Sequence, residues 1–186
     1  IPDSNPGTID RPFFSLEKLW TVLKAGDLVY LRGGTYEFEY EQYLLNRNGT
    51  ASNPIRIWAY PGEKPVFTAA SVYYNAGQHR ADKYYQDLIN VTGNYIHWKG
   101  IEVANFKPVD AGWRPFRVED SSNCVFEKFS VHHNISGMGI RGASGGNLVL
   151  NSDFYENQDP PPLGDYDGAD GLAIVFIAPG QAANTI

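Results

Sequence analysis

Four aspartates, Asp159, Asp165, Asp167 and Asp170, fall within twelve residues of the stretch 157–171, which is otherwise rich in Gly and Pro. Calcium is a hard cation that takes about six to eight oxygen ligands, largely carboxylates and carbonyls, so this stretch is well supplied for binding one. The spacing does not fit the EF-hand loop. The same composition also reads as a plain turn. Asp170 stands apart because Gly171-Leu-Ala-Ile174 restarts a strand directly after it, which mounts its carboxylate on a rigid element. Two arginines are the natural complement. Arg117 lies six residues before Asn123, and Arg141 six before Asn147. If those asparagines mark equivalent points of a repeat, the arginines stack one strand spacing apart, ~4.8 Å. Alternation then turns Phe116, Val118, Met138 and Ile140 inward and both guanidiniums outward. Two readings stand for such a pair: it binds a sugar carboxylate, which guanidinium matches in bidentate geometry, or it is neutralised by Glu119, Asp120 or Glu127.

Other residues carry weaker signals. Trp113, with Arg114 and Arg117, forms a possible sugar-stacking platform, whereas Trp58 and Trp98 lie in strands and read as packing residues. His132 and His133 are adjacent in a strand pattern, so they point to opposite faces and do not share a metal; turn packing or hydrogen bonding is the reading favoured. No Ser/His/Asp signature, phosphate loop or zinc spacing is present.

The elements that position these residues are short. Residues 13–25 show helical periodicity, with Leu16, Leu19, Trp20 and Leu23 on one face, Ser15 as N-cap and Gly26 as stop, predicting a helix around 14–24. β-rich runs follow: 28–31, 55–58, 88–91, 95–98, 116–118, 125–126, 138–141, 148–150 and 172–177, punctuated by Gly, Asn, Asp and Pro. Three segments resemble one another: Asn94 to Asn105, Asn123 to Asn134 and Asn147 to Asn157. Each opens on Asn, passes through two short strands and closes on Asn. Asn184-Thr-Ile186 begins a fourth. A repeat of this length without intervening helices predicts an all-β fold, a right-handed parallel β-helix (a β-solenoid) with a short N-terminal capping α-helix. A β-sandwich also has many short strands but leaves the Asn-framed repeat unexplained. Residues 1–186 read as one β-helix domain that stops at the opening of a coil. The expectation is that further coils and a C-terminal cap are missing or supplied by another chain.

Composition narrows the class. A net charge of -6 argues against a nucleic-acid partner. Cys124 is the lone cysteine, so no intrachain disulfide forms, and it reads as a small buried hydrophobe. No stretch reads as a membrane-spanning segment or as a leader peptide.

The sequence resembles polysaccharide lyase family 9 and related bacterial β-helix proteins. The likeness runs through Gly7-Thr-Ile-Asp-Arg-Pro-Phe-Phe-Ser-Leu16, Gly26-Asp-Leu-Val-Tyr-Leu-Arg-Gly-Gly-Thr-Tyr36, Asn53-Pro-Ile-Arg-Ile-Trp-Ala-Tyr-Pro-Gly-Glu63, His132-His-Asn134, the 147–157 unit and Ala169-Asp-Gly171. The opening motifs specify fold more than substrate. The resemblance implies a secreted protein and calcium-assisted β-elimination on an acidic polysaccharide of the pectate or rhamnogalacturonan class. It implies Asp170 as the first calcium aspartate, with Asp167 and Asp165 as further candidates. The remaining calcium ligands and a lysine base would lie after Ile186, so no catalytic base is assigned within the chain. A non-catalytic glycan-binding or structural β-helix is the alternative, because one scaffold serves either use.

Overall fold

The computed structural model describes residues 3–70, 87–107, 114–158 and 172–186. It opens on one helix, α1 (Leu16–Val22), shorter at both ends than the predicted 14–24. Ser15 is its N-cap, its Oγ accepting from Lys18 N–H at 3.1 Å. Asp3 holds the approach, its carboxylate accepting from the Phe14 and Ser15 amides at 2.9 Å. The apolar face (Leu16, Leu19, Trp20 and Leu23) is buried. Trp20 ties this cap to the coils, donating from Nε1 to Leu45 O at 3.0 Å and stacking on Trp98 with ring centroids 6.0 Å apart.

Fifteen strands then lie in three five-stranded sheets. Sheet A holds β1 (Leu28–Leu31), β4 (Ile55–Ala59), β7 (Ile96–Lys99), β10 (Val125–Glu127) and β13 (Leu148–Leu150). Sheet B holds β2 (Gly34–Phe38), β5 (Pro65–Ala69), β8 (Glu102–Ala104), β11 (Ser130–His132) and β14 (Asp153–Tyr155). Sheet C holds β3 (Gln42–Leu44), β6 (Ile89–Val91), β9 (Phe116–Glu119), β12 (Gly139–Gly142) and β15 (Ala173–Ile177). The chain visits A, B and C in turn, and every strand pairs in parallel with its counterpart one coil away. This is a right-handed parallel β-helix with a short N-terminal helix. Antiparallel pairing, which a sandwich needs, is absent from the sheets described.

Parallel stacking turns alternation into columns. Ile57, Trp98, Phe126 and Val149 are successive partners in sheet A, and all are buried. Val91, Val118 and Ile140 repeat this in sheet C. Phe116, Val118, Met138 and Ile140 all point inward, as alternation requires. Aromatic edges fill the interior: Trp98 meets Phe116 at 5.5 Å, and Phe116 meets Phe129 at 5.4 Å. Cys124 is buried, and burial pushes its thiol up to about 11.

The turns differ in a way that decides where function can sit. Sheet A passes to sheet B through two residues each time, Gly100-Ile101, Lys128-Phe129 and Asn151-Ser152. The first of each pair is left-handed, at φ 76, 55 and 47°. The connections from sheet B to sheet C have no such uniformity. Residues 105–115, 133–138 and 156–172 are of very different length and all lead onto the sheet C strands.

Buried amides hold the turns. Asn134 donates from Nδ2 to Val103 O and Asn157 Oδ1, at 3.0 and 3.1 Å, and its Oδ1 accepts from Phe106 N–H at 2.9 Å. Asn147 accepts from Cys124 N–H and donates to Asn184 Oδ1, both at 2.9 Å. Asn94 donates to Asn48 Oδ1 at 3.0 Å and accepts from Ser122 N–H at 2.7 Å. The predicted asparagine stacking is therefore present, but its phase is not the one assumed. Extending the pairing, Asn123 stands level with Tyr95 and Gly146, all three left-handed, and Asn147 is level with Cys124. The three opening asparagines thus occupy three successive turn positions.

Replacing Asn134 by Ala removes three bonds and strands Phe106 N–H and Val103 O in the interior. Each stranded group costs ~1–3 kcal/mol, so urea unfolding should show a loss of about 2–5 kcal/mol, against little change for the exposed Asn5→Ala.

Candidate functional site

Sheet C carries the charges that the sequence singles out. Arg117 and Glu119 occupy outward positions on β9, and Arg141 does so on β12. Gly139 is the partner of Arg117, and Glu119 is the partner of Arg141. The arginines are thus not direct neighbours, and the predicted register is corrected by two residues. One residue is the asparagine phase, since sheet A partners such as Val125 and Leu148 lie 23 apart, not 24. The other enters in the turn after β12, because sheet C partners lie only 22 apart.

The offset places a carboxylate between the two cations. Asp87, wholly buried just before β6, lies with Oδ2 2.8 Å from Arg117 Nε and takes the Arg114 amide on Oδ1 at 2.8 Å. Glu119 has Oε2 3.9 Å from Arg117 Nη1 and Oε1 2.9 Å from Arg141 Nε. Asp87, Arg117, Glu119 and Arg141 therefore alternate in sign across three successive strands. The Arg117 side chain is 11% exposed and that of Arg141 36%. Of the neutralising partners proposed, Glu119 serves this pair. Asp120 instead accepts the Ala143 amide at 2.8 Å, and Glu127 binds Lys99 and His97 on sheet A at 2.8 and 3.0 Å.

Burial pushes the Asp87 carboxyl up to about 7, with Arg117 and the Arg114 amide opposing it and Glu41 adding to it. Nothing in the sequence reading flagged Asp87. The signal was available, since Asp87 stands just ahead of a sheet C strand, as Asp170 does.

Trp113, Asp165, Asp167 and Asp170 lie outside the described residues. Among the described residues, no three His, Cys, Asp or Glu side chains converge to hold a metal ion.

The two histidines depart from the expectation of opposite faces. His133 is left-handed at φ 54°, which breaks the strand alternation and brings both rings together, with Nδ1 to Nδ1 at 2.7 Å. His132 Nε2 lies 3.2 Å from Glu102, and His133 Nε2 lies 2.8 Å from Glu156. All three contacts act as hydrogen bonds only when the two rings share three protons. Lys64 contacts Glu102 as well, and Tyr155 stacks on His132 at 4.7 Å. Hydrogen bonding, the favoured reading, is what the pair does. Trp98 is buried as a packing residue; Trp58 lies on the outward face of sheet A, with Lys99 Nζ 5.3 Å from its ring centroid.

A parallel β-helix with long, unequal insertions leading onto one charged sheet is an architecture that polysaccharide lyases use. The chain matches the family model described as Pel9A-like, right-handed β-helix region, over residues 2–185, and it belongs to that family. It is 31% identical over 174 residues to Pectate lyase PEL9 of Emericella nidulans, covering 92% of this chain and 40% of the relative. It is 32% identical over 175 residues to Pectate lyase L of Dickeya chrysanthemi, covering 91% and 38%. A solved rhamnogalacturonan lyase superimposes with a TM-score of 0.72 at 26% identity, covering 92% of this chain and 48% of the other. The chain thus spans about two fifths of the length of these curated relatives.

The buried carboxyl makes a pH prediction. Unfolded, Asp87 sheds its proton near pH 4; folded, it does so near pH 7. Between those values the folded form holds a proton that the unfolded form has lost, so stability falls as pH rises through this window and levels above it. Asp87→Asn should remove that fall. Urea unfolding of both forms across the window tests it, and parallel pH profiles would contradict the assignment.

Proposed function

We propose that the protein to which this chain belongs is a secreted polysaccharide lyase that cleaves a uronate-containing polysaccharide of the pectate or rhamnogalacturonan class by calcium-assisted β-elimination. The observation that carries this reading is the family match over nearly the whole chain, with named pectate lyases among its relatives. The sheet C face supports it. Arg141 offers a half-exposed guanidinium there, on the strand that pairs with β15, and Asp170 precedes β15 by three residues.

In such a reaction a base takes the proton from C5 of the uronate. The electron pair forms the C4=C5 double bond, and the C4–O bond breaks, leaving an unsaturated sugar at the new end. Calcium would neutralise the uronate carboxylate and so acidify the C5 proton. Asp170 is the proposed ligand in this chain, with Asp167 and Asp165 as further candidates. The base is assigned to residues following Ile186. The substrate-binding residues proposed are Arg141 at the surface, Arg117 behind it and Trp113 as a stacking ring. Further coils of the same β-helix would complete the site, with an acidic polysaccharide as partner.

The test uses the whole protein. Calcium titration and release of unsaturated uronides from polygalacturonate should both be impaired in Asp170→Ala, with calcium affinity falling at least tenfold. Unchanged calcium affinity and unchanged activity would remove Asp170 from the site. Glycan binding without any bond cleavage would favour a non-catalytic β-helix.

A further inference from the structure

The four alternating charges of sheet C have an asymmetry that the fold alone does not require. Arg117 is enclosed: Asp87 faces its Nε and Glu119 its Nη1, and the side chain is 11% exposed. Arg141 is engaged on one edge only, by Glu119 at Nε. Its two Nη groups have no hydrogen-bond partner in the structure. A guanidinium with Nε occupied still presents its Nη groups as donors in one plane, which matches the two oxygens of a carboxylate.

Glu119 is what fixes that presentation. It is the direct cross-strand partner of Arg141, 26% exposed, and its far oxygen faces Arg117. Arg117 cannot draw Glu119 away, because the wholly buried Asp87 lies closer to it, at 2.8 Å against 3.9 Å. The inner pair thus satisfies its own charge and leaves Glu119 to orient the outer arginine. Binding sites gain affinity when such a supporting layer removes the freedom of the contacting group.

We infer that Arg141 is a subsite for one uronate carboxylate of the polysaccharide, and that Glu119 is its positioning residue, setting preference for acidic over esterified or neutral sugars. This rests on the proposed lyase reading for the substrate class, but the subsite has a readout of its own.

The experiment compares the whole protein with Glu119→Ala, Glu119→Gln, Arg141→Ala and Arg141→Lys. Each is assayed for KM and kcat on polygalacturonate and on its fully methyl-esterified form, and for direct binding of an oligogalacturonate. A charge-assisted bidentate contact corresponds to about a 10- to 100-fold effect. Arg141→Ala should raise KM and weaken binding by that factor for the acidic polymer only, with kcat within about twofold. Arg141→Lys, which keeps the charge but loses the fork, should recover little. Glu119→Ala should raise KM about 10-fold, and Glu119→Gln, whose amide oxygen still accepts from Nε, should recover most of it. The double variant Glu119→Ala/Arg141→Ala should be no worse than Arg141→Ala. Additive losses, or equal losses on the esterified polymer, would overturn the assignment. If no variant or wild type cleaves any uronate polymer, the lyase reading fails; oligogalacturonate binding that still depends on Arg141 and Glu119 upholds the subsite, and binding that depends on neither overturns it.

Discussion

The structure depends on parallel stacking of coils in fixed register. Each coil alone has no core. Its inward residues become buried only when the next coil covers them, as Ile57, Trp98, Phe126 and Val149 cover one another. Stacking also takes turn backbone out of water. Its amides and carbonyls then need partners that the neighbouring strands do not provide. Asn134, Asn147 and Asn94 provide them, reaching along the stack from one coil to the next. Ser121 and Ser144 do the same between sheets C and A, Ser144 Oγ accepting from Ser121 N–H at 3.0 Å. The apolar columns and the polar ladders are therefore two requirements of one arrangement.

That arrangement leaves the molecule one place to vary. The passage from sheet A to sheet B is held to two residues by its left-handed turn, so nothing can be inserted there without breaking register. The passage from sheet B to sheet C tolerates insertions, and they all end on sheet C. Charge follows the same division. Sheet A neutralises its outward groups locally, with Glu127 binding both Lys99 and His97 and held low by them. Sheet B pairs Lys64 and His132 with Glu102. On sheet C the inner pair is closed and the outer arginine keeps an unengaged edge. A rigid stack thus presents one incompletely satisfied face, at the root of its variable segments.

Much of this was legible in the sequence, for physical reasons that also explain the misses. Alternation identified the inward set on β9 and β12, because burial on one face has a period that no turn can hide. The cap helix was legible from Leu16, Leu19, Trp20, Leu23 and Ser15. Register was not. Asparagine serves two different needs in these turns: Asn134 bonds along the ladder, whereas Asn123 and Asn105 adopt left-handed backbone that asparagine tolerates. A letter pattern merges the two, so Asn94, Asn123 and Asn147 looked equivalent when they are not. The same blindness hid the pairing of His132 with His133, since a left-handed His133 carries no mark in sequence. Asp87 was missed because one buried acid before a strand looks like any turn residue until Arg117 lies beside it.

The central claim is that sheet C is the face that meets an acidic polysaccharide. A crystal structure of the whole protein with a bound oligogalacturonate tests it most directly. The account predicts the sugar chain across sheet C, with one carboxylate within hydrogen-bond distance of the Arg141 Nη groups and Glu119 still on Nε. An oligosaccharide seated on sheet A or sheet B, with Arg141 untouched, would contradict it.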